Sequence, residues 1–429
     1  MNTYVLGLIF LTIINLALCV YISPSILHPI RMYCLFWSAF VILPVIFWNV
    51  NYKWNYGGLY FICLSVLFSE LGAIVGSRKA FILKKPNSFI NNRELEKEYC
   101  WLIIYVIILF GAASAFLSLF GNGFQIKDIL SVKGLIYVSS KSAELRYEPQ
   151  RNPSSLHQIF SIFVYLAPLC GGYAFNYSIS LKKKVLSLLT MVPIFLEMVF
   201  TSGKSGFIAS LFFWIAGWCV SYVKTRGDLP YIRFKYLFRM MVGLLCIFLI
   251  LFTAMLLRTG EFSTAMVKVI YEKFWIYAFG QMVEFDAWFP QGKMLGTGLG
   301  SNTYMTFFRL LGLADRKGGI YDVLIEEYGN VFTVFRGIIA DFGIIGGLIY
   351  SFVRGLITEL CFNSISSNTI ETIVPTVLVA CAYFANLYGF IVSPWVYTSY
   401  ILTMVCFGGF ILVFNRAIKY RRIEFKLER

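Results

Sequence analysis

Histidine is almost missing from this chain. His28 and His157 are the two that occur in 429 residues, and they lie far apart in sequence. A histidine-based metal centre is therefore not expected. Charge is scarce too, at 14% of residues, and 22 Asp plus Glu face 37 Lys plus Arg. The ten cysteines form no C-x-x-C pair and fall almost entirely within or at the ends of apolar runs. They read as small packing residues, and neither a metal nor a cofactor is expected. No internal repeat and no low-complexity tract is evident. The first apolar run, Tyr4 to Ile22, shows neither a basic leader nor a clear small-residue cleavage site, so it reads as a span and not as a signal peptide.

One nucleotide motif is present only in part. Phe200–Phe207 reads FTSGKSGF, with the Gly-Lys-Ser of a phosphate-binding loop. The glycine that lets such a loop bend over phosphates would fall at residue 198, which is Met198. Long apolar runs flank the stretch on both sides, where a strand and a soluble helix would be needed. Leu295–Tyr304, LGTGLGSNTY, is glycine-rich but fails as a dinucleotide fingerprint for the same lack of context. It reads as a tight turn, with an anion-binding nest of amides as the lesser reading.

What the chain has in quantity is apolar surface. Hydrophobic residues make up 59% of it and the mean hydropathy is +0.73. A water-soluble fold of this length could not bury so much, and runs of about 20 apolar residues are membrane-span signals. The chain is expected to be an all-α polytopic membrane protein forming one integral domain over residues 1–429. Eleven spans are expected near 4–22, 32–49, 57–76, 100–120, 158–178, 185–201, 206–223, 240–257, 337–358, 371–389 and 396–414. Lipid offers no partner to a bare peptide group, so each should be a helix.

Orientation follows from the basic residues. Clusters at Arg78–Lys97, Lys182–Lys184, Lys224–Arg239 and Arg416–Arg429 alternate consistently if all four are cytoplasmic. The C-terminus is then inside. The formal charge of +15 is thereby explained by membrane orientation and anionic headgroups, and not by a nucleic-acid partner. Two long segments fall on the outer side, 121–157 and 258–336. The second is rich in aromatics and charges of both signs, and its Met266–Phe279 stretch could lie along the interface. Long ordered loops of this kind usually carry function.

Several ionisable groups sit at membrane depth. Lys204, Arg258 and Arg336 either snorkel to headgroups or converge on a lipid-linked phosphate or pyrophosphate. Glu70, Glu197 and Asp341 are carboxylates inside spans, each a functional hypothesis by default, though Asp341 serves equally as a structural partner for another helix.

At GQMVEFDAWF (Gly280–Phe289) and YGNVFTVFRGIIADFGIIGG (Tyr328–Gly347) the chain resembles the O-antigen and oligosaccharide repeat-unit polymerases, the Wzy type. The matching positions are Asn330, Phe332, Thr333, Arg336, Asp341, Phe342 and Gly343. TSGKSGF looks like that family's Gly-Ser-Arg turn at an outer helix end, with Lys204 where arginine is usual. The resemblance implies a fold similar to the membrane-embedded GT-C glycosyltransferases. It implies a polymerase of the bacterial inner membrane, working at the periplasmic face on oligosaccharides carried by undecaprenyl pyrophosphate, without a cofactor. Membrane lipids and a chain-length regulator would be its partners.

Transfer from a pyrophosphate needs cations on the developing anion and a base on the acceptor hydroxyl. Arg258 and Arg336 are the first cations to consider, then Lys204 and Arg309. Glu284 and Asp286 are the first bases, then Asp341 and His157. Tyr328, Asn330 and Thr333 are expected to bind substrate, and Arg146 and Arg151 in ELRYEPQRNP to hold sugars or the second pyrophosphate. A ligase moving finished glycan to another acceptor would share most of these features. A flippase is disfavoured by the long outer segment and by the lack of visible repeats or broken helices.

Overall fold

The computed structural model describes residues 3–48, 52–80, 98–145, 155–201, 203–226, 229, 234–259, 263–291, 296–313, 333–365 and 372–427. Among them there is no strand. The fifteen helices are α1 (Thr3–Ile22), α2 (Pro29–Phe47), α3 (Gly57–Ala80), α4 (Glu98–Gly121), α5 (Val132–Leu145), α6 (Ser155–Phe175), α7 (Leu181–Leu189), α8 (Val192–Thr201), α9 (Lys204–Arg226), α10 (Phe234–Thr259), α11 (Thr264–Trp288), α12 (Met305–Leu310), α13 (Val334–Ser364), α14 (Ile373–Tyr388) and α15 (Thr398–Leu427). Eight helical stretches are long and apolar enough to cross a membrane, and three shorter apolar ones lie at 245–256, 373–388 and 398–414. Each of the eleven expected spans overlaps one of these.

The outward faces are apolar, the reverse of a water-soluble helix. On α4, Leu102, Tyr105 and Leu109 repeat at helical spacing and are more than half exposed. Phe10 and Ile13 on α1 and Val405 on α15 do the same. A surface of this kind is stable only against lipid. The inward faces form two main cores. One joins α1, α2, α3, α11 and α13 around Trp37, Phe285 and Phe335. The other joins α4, α6, α9, α14 and α15 around Tyr173, Phe213 and Phe384.

Small residues decide which helices touch. Lipid tails are as apolar as leucine, so helices associate where their backbones can approach closely. Along α3, Gly72 and Gly76 lie four residues apart, and α13 crosses over them with Gly355. A methyl on Gly72 would stand 2.0 Å from the Phe352 carbonyl oxygen, and one on Gly355 would stand 1.9 Å from that of Ser69. A second close crossing joins α6 and α9, where Gly172 meets the Trp214 carbonyl and Gly217 meets that of Leu169.

Two helices expected to run through are broken. The span at 185–201 is two helices, α7 and α8, separated at Thr190–Met191. The span at 337–358 extends to Val334–Ser364 and kinks at Gly343, whose φ of 70° and ψ of −176° are not helical. The reading that broken helices are lacking is therefore corrected. A break made by one glycine's backbone angles leaves the hydrophobic run uninterrupted, so hydropathy does not register it.

Contacts sort the helix ends into two groups. At one end, the Tyr60 hydroxyl donates to the Tyr4 carbonyl, Tyr52 to Asp286, and Ser393 to the Thr303 carbonyl. At the other end His28 meets Glu359, Lys224 donates to Thr376, and Lys183 lies over the ring of Trp101.

Candidate functional site

The first group of ends carries most of the nominated residues. The long segment 258–336 is largely helical where it is described. Ser263 caps α11 by accepting the N–H of Met266. The first half of α11 is exposed, with Tyr271 and Tyr277 at its surface, whereas Gly280 to Ala287 is buried throughout. This buried half packs on α2 and α3. The sequence changes accordingly, from charged and aromatic to GQMVEFDA.

Two acids lie in that buried half. Glu284 is inaccessible to solvent. It stands four residues before Trp288, so the two share one face of α11. Over the Trp288 ring lies the guanidinium of Arg336, 5.2 Å from the centroid. Arg336 is buried in the first turns of α13 and is preceded by Phe335, which packs against Phe285 and Trp37. Arg336, Trp288 and Glu284 thus belong to one wall, held by aromatic packing on both sides.

Asp286 points elsewhere. Its Oδ2 accepts the backbone N–H of Asn55 at 2.7 Å and the Tyr52 hydroxyl at 3.1 Å, fixing the turn that leads into α3. Burial raises its pKa, and these donors pull it back down. Asp341 is also engaged. Its Oδ1 accepts the backbone and side-chain N–H groups of Asn302 at 3.0 and 2.8 Å, and its Oδ2 accepts the Thr303 N–H at 2.6 Å. Both carboxylates hold loops onto helices.

The loop held by Asp341 is the glycine-rich stretch itself. The kink at Gly343 frees carbonyls from the helical ladder. The N–H groups of Thr297 and Gly298 donate to the Ala340 carbonyl at 3.1 and 3.2 Å, and that of Leu299 donates to Asp341 at 3.3 Å. The loop therefore satisfies the broken helix. Its amides face protein carbonyls and a carboxylate, which excludes the anion-nest reading for these groups. Gly298 is required because a Cβ there would stand 2.2 Å from Asp341 Oδ1.

The remaining nominated residues are scattered. Lys204 begins α9, half-buried, with its ammonium 5.7 Å from the Tyr277 ring centroid. Arg309 is half-buried in α12. Thr333 is buried just ahead of α13, where the next N–H, of Val334, donates to the Gly389 carbonyl. His157 Nδ1 sits 3.4 Å from Ser114 Oγ and 3.3 Å from the Ser114 carbonyl oxygen. Arg258 belongs to the last turn of α10, with its side chain outside the described set. Arg146, Arg151, Tyr328 and Asn330 lie outside the described residues.

A second polar layer, at the other group of ends, was not anticipated. Arg354 stacks on the Tyr33 ring at 3.6 Å and donates to Asn386 at 2.7 Å and Ser69 at 3.0 Å. His28 Nε2 lies 3.4 Å from Glu359 Oε2, and Asn363 donates to the other oxygen at 3.0 Å. Burial, with Arg31 nearby, lowers the His28 pKa to about 3, which disfavours the charged imidazole. Glu359 lies one residue beyond the expected span at 337–358, on the helical extension to Ser364 that hydropathy does not register. Lys224, read as a headgroup-facing cation, is buried and donates to Thr376 at 3.3 Å. Compared with known proteins, the chain matches no family model, no curated protein and no solved structure.

Proposed function

We propose that the chain is a GT-C-like polymerase of lipid-linked oligosaccharides. It would transfer a growing glycan from undecaprenyl pyrophosphate to a sugar hydroxyl of the next lipid-linked repeat unit. The observation that carries this reading is the buried guanidinium of Arg336 over the Trp288 ring, with the buried acid Glu284 one turn earlier on the same face of α11. In the reaction the acceptor oxygen bonds to the anomeric carbon while the bond from that carbon to the pyrophosphate oxygen breaks. Arg336 faces the negative charge that develops on the departing diphosphate, and its planar fork suits two phosphoryl oxygens. Glu284 takes the hydroxyl proton. Asp286 and Asp341 are set aside as bases because a backbone N–H already holds Oδ2 of each and ties the side chain to a loop. Lys204 and Arg309 supply further positive charge toward the lipid diphosphate, and exposed rings such as Tyr271 and Tyr277 offer stacking faces for sugars.

In this reading the first group of helix ends faces the periplasm, the basic ends and the C-terminus face the cytoplasm, and a chain-length regulator would act in the membrane beside the enzyme. The break in α13 is a feature shared with transporters. Here the glycine-rich loop fills the break, leaving those carbonyls with partners, which favours a static scaffold.

Deleting the coding sequence and resolving the surface glycan on a gel tests the proposal. Single-repeat glycan on the acceptor is expected. Loss of all attached glycan would point to a ligase, and an unchanged ladder would refute the proposal.

A further inference from the structure

Three side chains from three different helices meet inside the bundle, two of them next in sequence to Tyr33 and Ser69 of the polar layer around Arg354. Cys19 comes from α1, Cys34 from α2 and Glu70 from α3. Their sulfur and carboxylate oxygen atoms all lie within 4.8 Å of one another. All three residues are 0% exposed. Neither oxygen of Glu70 has a hydrogen-bond partner among the described residues. A carboxylate buried without nitrogen or oxygen donors costs several kcal/mol unless something else meets it. What surrounds this one is a pair of thiols, which are weak donors but strong metal ligands once deprotonated.

We propose that Cys19, Cys34 and Glu70 bind one thiophilic divalent cation of the zinc class, clamping α1, α2 and α3 together. Two sulfurs and one carboxylate oxygen are a donor set suited to zinc and ill suited to magnesium or calcium, which take oxygen ligands. In a tetrahedral site with metal–sulfur bonds of about 2.3 Å the sulfurs stand about 3.8 Å apart, so the ligands need close by only about 1 Å. On binding, the two thiols and any protonated carboxyl release their protons to solvent. Two thiolates and a carboxylate bring three negative charges against two on the metal. Arg31, which acts electrostatically on Cys19, offsets the excess. Three protein ligands leave a fourth position for water.

No other cysteine belongs to such a group among the described residues. Cys170, Cys219 and Cys381 lie in the second core with no comparable partner set among the described residues, and Cys246 and Cys406 are exposed.

The experiment is a titration of the purified full chain, in detergent and stripped with a chelator, with Co²⁺ alone. One equivalent should raise a thiolate-to-cobalt charge-transfer band, and Zn²⁺ should abolish it. Cys34→Ser should lose the band. Glu70→Gln should keep a thiolate band but bind at least about tenfold more weakly. The double variant Cys246→Ser/Cys406→Ser should behave as wild type. As a check independent of variant folding, Zn²⁺ should protect Cys19 and Cys34 of the wild-type chain from maleimide, read by peptide mass. Absence of the band, its loss in the Cys246/Cys406 variant, equal maleimide labelling with and without Zn²⁺, or a Cys19–Cys34 disulfide in the purified chain would each overturn the proposal.

Discussion

A Cβ on Gly296 would stand 2.0 Å from the backbone nitrogen of Gly343. Both residues have positive φ, 61° and 70°. The glycine-rich loop and the break in α13 are therefore one construction, each shaped to the other. Gly296→Ala and Gly343→Ala should each destabilise the protein by roughly 1–3 kcal/mol, from backbone strain plus steric displacement. Thermal melting in detergent measures this, and melting curves unchanged from wild type would contradict it.

Asp341→Asn keeps the shape but presents an amide N–H to one of the donors it now accepts from. The expected cost is about 1–3 kcal/mol in stability. Activity per folded molecule should survive, because this carboxylate holds the loop at Asn302 and Thr303. A folded Asp341→Asn protein with no activity would mean that the carboxylate also takes part in the chemistry.

Arg336→Ala should abolish long-chain glycan while the protein remains in the membrane at near-normal levels. Loss of one preorganised group facing developing charge typically lowers a rate about 10²–10³-fold. Arg336→Lys should restore only part of this, because the fork is lost. A complementation gel reads both variants, and full activity of the alanine variant would remove Arg336 from the reaction.

Glu284→Gln separates chemistry from structure in the opposite sense to Asp341. It should remove polymer with little change in melting temperature. Polymer at wild-type levels would exclude Glu284 as the base.

Acid should weaken the fold through His28. Its pKa falls from 6.5 to about 3 on folding, so the unfolded chain binds the proton more tightly. Stability from this group is therefore complete above pH 6.5 and is lost as pH falls toward 3, by up to about 5 kcal/mol. Melting temperature followed from pH 7 to pH 4 should drop more steeply in wild type than in His28→Gln. Parallel curves would show that His28 is not the group responsible.

The spans were readable because apolar composition and helix length are properties of contiguous sequence. All eleven expected runs overlap apolar helices. Arg336 and Glu284 were nominated from charge at membrane depth and from the resemblance, but their shared wall depends on how α11 turns back against α13. Asp286 and Asp341 show the limit most clearly. A buried acid looks the same in sequence whether it serves a substrate or a backbone N–H, and here the donors come from Asn55 and Thr303, far away along the chain. The convergence of Cys19, Cys34 and Glu70 is hidden for the same reason, since no short spacing links them.

The crossing of α3 and α13 has a mechanical consequence. With Gly72, Gly76 and Gly355 pressed against opposing main chain or Glu359, neither helix can slide or roll past the other without collision. They form a strut running from the glycine-rich loop at one end to His28 and Glu359 at the other. Any relative movement of the other helices must therefore swing around this strut. Away from it, α10 and α5 border an apolar hollow of about 240 Å³ against α8.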